Sequence, residues 1–108
     1  MKPPAAFSVR IFLPNGEPDG IKVVEKSNWP GRGLVFPRAL FPDAKGRPEL
    51  DGVGVYVLTG PGAQTQLPRV YVGESDQVRP RIEQHLHSKD FWTHAVVFTS
   101  KDQNLHPF

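Results

Sequence analysis

At 108 residues, with 38% hydrophobic and 22% charged, the chain can build one core but not two, and its apolar content excludes wholesale disorder. Its formal net charge of +2, from 13 basic and 11 acidic residues, does not by itself mark a nucleic-acid binder, so any such role rests on how the charges cluster. Cysteine is absent, which excludes disulfides and thiolate sites, and no apolar run approaches the ~20 residues a membrane-spanning helix needs; a cytoplasmic protein without a membrane partner is expected.

Phe7, Val9, Ile11 and Leu13 recur at every second position, the period of a half-buried strand, and Pro14-Asn15-Gly16 then turns the chain. Ile21 to Val24 is a second strand, so the pair reads as a hairpin whose connection is lengthened by Pro18, Asp19 and Gly20. Leu34-Val35-Phe36 is a third short strand after the turn-rich Asn28 to Gly33. Between Pro37 and Leu50 only a short helix fits, because Pro42, Gly46 and Pro48 prevent a longer one.

Gly52 to Thr59, rich in valine, and Arg69 to Val72 read as strands joined through a Gly60-Pro61-Gly62 turn and a polar loop, which makes Gly54 to Gly73 a hairpin. From Gln77 to His87 the period becomes helical, with Val78, Ile82 and Leu86 one turn apart and Asp76 as the expected N-cap. Ala95 to Thr99 is a last strand, after which Ser100 or Asp102 can cap a further helix. The expected fold is a small α/β (α+β) domain with a mostly antiparallel central sheet and one main helix. An N-terminal β-hairpin extension, residues 1–50, packs on a core of residues 51–108.

On such a hairpin Tyr56 and Tyr71 can project to one face, and the helix that follows crosses that edge. Arg81 and His85, four residues apart, share one side of it. Two phenols, an imidazole and a guanidinium can then surround one anion, and a rigid donor fork suits phosphate, more so as charge builds in the transition state. Taken singly, each residue has an ordinary structural role: Tyr56 and Tyr71 as core strand residues, Arg81 and His85 as surface groups. The joint spacing points instead to a site.

Gly54-Val55-Tyr56, then Tyr71-Val72-Gly73, then Arg81 and His85, resemble the GIY-YIG nuclease pattern, with valine for isoleucine in both tripeptides. Arg81 follows Gly73 at the family's offset, while residues 57–70 form a longer connection than the family's. The stretch Phe91 to Phe98, followed by Ser100 to Leu105, is similar to the third strand and helix start of a bacterial subgroup in which a hairpin also precedes the motif, as residues 10–38 do here. The resemblance implies an endonuclease acting on nucleic-acid phosphodiesters, with DNA as partner and magnesium or manganese as cofactor. It implies that Tyr56 positions or activates water, Arg81 binds the scissile phosphate, and Tyr71 and His85 assist proton transfer.

One departure stands out. The family carries a metal-binding glutamate on the helix after the third strand, and here Leu105-His106-Pro107-Phe108 closes the sequence before such a helix. Glu74 and Glu83 are the nearby carboxylates; Glu83, four residues from Arg79, is expected to pair with it, which leaves Glu74 as the candidate metal contact, while His106 is a poor magnesium ligand. The alternative function is a non-catalytic domain that binds nucleic acid or a protein partner, for example as an inhibitor. Arg32, Arg38, Lys45, Arg47, Arg69, Arg79 and Arg81 would form a basic surface for the former; exposed Trp29, Phe41 and Trp92 would favour the latter.

Overall fold

The computed structural model describes residues 4–64 and 66–100. Six strands form one antiparallel sheet: β1 (Val9–Phe12), β2 (Lys22–Lys26), β3 (Gly31–Pro37), β4 (Gly54–Pro61), β5 (Pro68–Ser75) and β6 (His94–Ser100). Their spatial order is β1-β2-β3-β6-β4-β5, so the last strand in sequence lies between the N-terminal strands and the motif hairpin. The helices are α1 (Phe41–Ala44) and α2 (Val78–Ser88), with single 3-10 turns at Arg38–Leu40 and Pro48–Leu50. The chain is therefore an α+β domain. No described helix is long and apolar enough to cross a membrane.

The layers follow from strand alternation. Tyr56 and Leu58 of β4, Ala95 and Val97 of β6, Leu34 and Phe36 of β3 and Val23 of β2 all point to one face and are buried there. Val78 and Ile82 of α2 close this core over β4, and Phe41, Ala44 and Leu50 close it over β3. β5, α2 and β6 make a crossover around β4, which sets the helix across the motif hairpin.

Side chains pin the ends of the covering elements. At the C-terminus of α2, where helix carbonyls lack partners, the Arg38 guanidinium donates to the carbonyls of Leu86 at 2.6 Å, Lys89 at 2.8 Å and Trp92 at 3.3 Å. It also lies over the Trp92 ring, 4.5 Å from its centre, and the indole N–H donates to the His85 carbonyl at 3.1 Å. The segment leading to β4 is fixed by Thr99 Oγ1 donating to the Glu49 carbonyl at 2.7 Å and by Arg32 donating to the Pro48 carbonyl at 2.8 Å.

Several expectations change. The residues of β1 are exposed, not half-buried, because β1 is the edge strand and its outer face meets no second layer. The motif hairpin is longer than its sequence suggests: Gly60 and Pro61 pair with Arg69 and Pro68 instead of turning. No side chain caps α2. Gln77 occupies the cap position and the Ser75 hydroxyl accepts its N–H at 3.1 Å, so Asp76 does not cap; Pro80 then falls where its missing N–H has no helical partner to lose. Ser100 ends β6, and the helix that it or Asp102 was expected to cap lies, like Asp102 and His106, outside the described residues.

Trp92 and Phe41 are buried, at 1% and 3% exposure, so of the three aromatics expected at a protein interface only Trp29 is on the surface. Glu83 pairs with Lys45 at 3.2 Å, while Arg79 pairs with Asp51 at 2.7 Å, because Arg79 is drawn under the 45–51 segment by donating to the carbonyls of Lys45 and Arg47. Replacing Arg38 with methionine keeps the stem but removes the clamp on α2; it should lower stability in urea unfolding by about 2–3 kcal/mol, with Arg38→Lys recovering only part of the loss.

Candidate phosphate-binding site over the motif hairpin

Two glycines decide where the site forms. Tyr56 pairs with Gly73 across the hairpin, and a Cβ on Gly73 would lie 2.5 Å from the Tyr56 ring carbon Cζ, so the phenol crosses β5 only because that position has no side chain. At Gly54 a Cβ would lie 2.8 Å from Val78 Cγ2 and 2.5 Å from the Phe98 carbonyl oxygen. Its absence lets the first turn of α2 settle on β4, where the Val78 N–H donates to the Gly52 carbonyl at 3.1 Å.

With the helix seated there, His85 reaches the hairpin. Its Nε2 lies 2.9 Å from the Tyr56 hydroxyl, and the two rings are 5.4 Å apart between centres. Tyr71, next but one to Gly73 along β5, stacks beside Tyr56 at 6.3 Å and meets the His85 ring edge-on at 5.3 Å. Arg81 and Tyr71 both act on the Tyr56 hydroxyl through charge and hydrogen bonding. The sequence positions Tyr56, Tyr71, Arg81 and His85 thus meet at one place, under the face of α2 that looks down on β4 and β5.

Lys89 joins this cluster and was missing from the sequence reading. Its ammonium lies 4.4 Å from the centre of the Tyr71 ring. The signal was available: Arg81, His85 and Lys89 are spaced by fours, one helical face, although Lys89 stands at the C-cap where helical spacing is easily disregarded.

Most of the other basic residues are engaged elsewhere. Arg32 and Arg38 donate to internal carbonyls, Arg47 holds Glu49 at 2.6 Å, Arg79 is tied down as above, and the Arg69 guanidinium lies over the Phe91 ring at 4.5 Å. The broad basic surface expected from the sequence contracts to Arg81 and Lys89 beside the two tyrosines. Beside Arg81 opens a groove of about 580 Å³, lined also by Glu74, Ser75, Gln77 and Gln84.

Burial governs the electrostatics. Tyr56 is 1% exposed, and burial, assisted by Tyr71, pushes its phenol above the ordinary value against the opposing pull of Arg81. The hydroxyl therefore keeps its proton at neutral pH, and Arg81 alone does not make it a tyrosinate. Burial, with Lys89 and Arg81 adding repulsion, holds the His85 imidazole below its ordinary value near 6.5. A neutral imidazole accepting the Tyr56 proton at Nε2 carries its own proton on Nδ1, a buried atom without a hydrogen-bond partner among the described residues. A protonated phenol beside a neutral imidazole is a route for moving one proton.

Among the described residues the carboxylates that border the Arg81 groove are Glu74 and Asp76. No group of three or more His, Asp or Glu side chains comes together. Glu74 pairs with Val55, on the opposite side of β5 from Tyr71 and Gly73, so alternation directs its carboxylate away from the tyrosine face. Asp76 is exposed at the turn before α2. No chemical step is routed through a metal here.

Compared with known proteins, the chain matches no family model, no curated protein and no solved structure.

Gly73→Ala should force the Tyr56 ring aside, costing about 1–3 kcal/mol in urea unfolding and shifting the Tyr56 and His85 resonances in NMR together. The His85 environment makes stability depend on pH. The unfolded chain takes up a proton near 6.5 and the folded chain only at lower pH, so this contribution is complete above about 6.5 and is lost as pH falls from there toward the folded value. Urea midpoints measured from pH 7.5 down to 5 should fall across that window, and the fall should flatten in His85→Gln.

Proposed function

We propose that the chain is a GIY-YIG-like domain that binds nucleic-acid phosphodiesters, with DNA as the first candidate, at the cluster of Arg81, Lys89, Tyr56, Tyr71 and His85. The observation that carries this reading is the convergence of two cationic side chains and two phenols over Gly73, when most other arginines are held by internal partners. The guanidinium of Arg81 supplies a planar donor fork for two phosphate oxygens, and Lys89 supplies a point charge over the Tyr71 ring, about two turns further along the helix. The resemblance of Gly54-Val55-Tyr56 and Tyr71-Val72-Gly73 to the family motif, with Arg81 at the family offset, supports the same reading.

A hydrolytic role is favoured by one further observation, the hydrogen bond between a protonated phenol and a neutral buried imidazole. Simple anion binding has no need of it. In a hydrolytic reading the Tyr56 oxygen receives the proton of the attacking water as its own proton passes to His85 Nε2, while Arg81 holds the phosphoryl oxygens as their charge grows. Magnesium or manganese, implied by the resemblance, would supply further charge neutralisation; its carboxylate ligand is not among the described residues that face the site.

A fluorescent DNA oligomer and a supercoiled plasmid with magnesium or manganese separate the two roles. Binding should weaken as salt rises, and Arg81→Ala should reduce affinity about tenfold or more, the scale of a lost charge-assisted hydrogen-bond pair. If the chain also cleaves, Tyr56→Phe should leave binding in place and abolish nicking. Binding that is indifferent to salt and to both Arg81→Ala and Lys89→Ala would refute the proposal.

A further inference from the structure

The second face of the sheet is apolar across all six strands. Alternation places Val9 and Ile11 of β1, Val96 and Phe98 of β6, and Val70 and Val72 of β5 on this side, opposite the helices. Val72 is 64% exposed and Val70 55%, high values for valines in a paired strand. The central positions are filled by Val24, Val35, Val55 and Val57, each only part-buried by its neighbours. Gly33 contributes to the flatness: the Phe98 ring lies over it, 3.6 Å from where a Cβ would stand, instead of projecting outward. With strands about 4.8 Å apart and about 3.3 Å per residue, the face spans roughly 25 by 20 Å, about 500 Å² in projection, the same order as the ~800 Å² that each partner buries in a standard stable interface. An apolar patch of that size is toward the upper end of what a monomer exposes, and patches of that size are often functional.

We propose that a second copy of this chain covers the face, the two sheets packing as an aligned sandwich with the helices outside. The distribution of charge selects both the occupant and its orientation. Four titratable groups stand on this face: Lys22 and Lys26 on β2, His94 at one end of β6, and Glu74 on β5. The lysines lie toward one edge and the carboxylate on the opposite edge, in the cross-strand row of Val24, midway between the rows of Lys22 and Lys26. A two-fold axis parallel to the strands sets β1 of one copy over β5 of the other, brings Lys22 and Lys26 toward Glu74 at both rims, and leaves an uncharged valine centre. An axis across the strands would stack Lys22 on Lys26 and bury like charges together. A face whose charges oppose one another under one symmetry operation is self-complementary, the requirement of an isologous dimer. The apolar centre supplies the driving force and the rim pairs fix the register.

The proposal is independent of the phosphate site, which opens on the other face and would be carried twice, on the outside of the pair. Sedimentation equilibrium on the full chain tests it. The wild type should behave as a species of twice the 12.0 kDa chain mass. Val72→Glu and, separately, Val70→Arg should each raise the dissociation constant at least about tenfold while the circular dichroism spectrum of the folded domain is unchanged, since both side chains are exposed in the single chain. Lys26→Glu should weaken the dimer and the double exchange Lys26→Glu with Glu74→Lys should restore it, a rescue that non-specific association through the valines would not give. A wild-type chain that remains at monomer mass up to its solubility limit overturns the proposal. So does a dimer insensitive to both valine substitutions. A dimer that dissociates with the valine changes but ignores the charge exchange overturns the proposed orientation.

Discussion

The Tyr56 ring can lie across β5 only because Gly73, its partner across the hairpin, has no side chain. That single vacancy brings the phenol under α2 instead of leaving it upright in the sheet, and from it follow the hydrogen bond to His85 and the packing of Tyr71 against both rings. Gly54 performs the matching task one strand away, admitting the first turn of the helix. Gly54 and Gly73 are therefore places where backbone must be approached closely, by the helix start at Gly54 and by the Tyr56 phenol at Gly73.

The helix that bears Arg81, His85 and Lys89 is held at both ends by groups distant in sequence. Its start is hydrogen-bonded to Gly52, and its end is clamped by Arg38 and Trp92, the latter donating to the carbonyl of His85 itself. With both ends fixed, the imidazole meets Tyr56 without depending on a cap: no side chain caps α2. The same enclosure sets the protonation states. Burial outweighs the nearby guanidinium at Tyr56 and acts with two cations at His85, leaving proton donor and acceptor paired in a site whose outer wall is positive.

The sequence made the site easier to read than the sheet around it. Tyr56, Tyr71, Arg81 and His85 stand out because two tripeptides and a helical offset are local patterns, and strand alternation turns them into shared faces. What escaped was set by partners far along the chain. The apolar period of β1 was correctly a strand signal, but whether its side chains are covered depends on the order of six strands, which periodicity does not encode. Trp92 and Phe41 look like surface aromatics in turn-rich segments until Arg38 and the 41–50 stretch close over them. Glu83 and Arg79 have the spacing of a helical ion pair, yet tertiary carbonyls and Asp51 take Arg79 away. Each miss is a tertiary contact overriding a local rule.

Formal charge is a poor guide to this molecule for the same reason. Four of its arginines, at positions 32, 38, 47 and 79, donate to carbonyls or carboxylates of neighbouring segments, so they hold the covering segments in place and their donor groups are already engaged. Binding of an anion then falls to cations left without such partners, and Arg81 and Lys89 stand about two turns apart on one helical face, on either side of His85. Two charges set on one helical face, on either side of the buried His85, concentrate a field that 13 dispersed basic residues would not produce. The near-neutral balance of the chain and a locally cationic site are consequences of the same folding pattern.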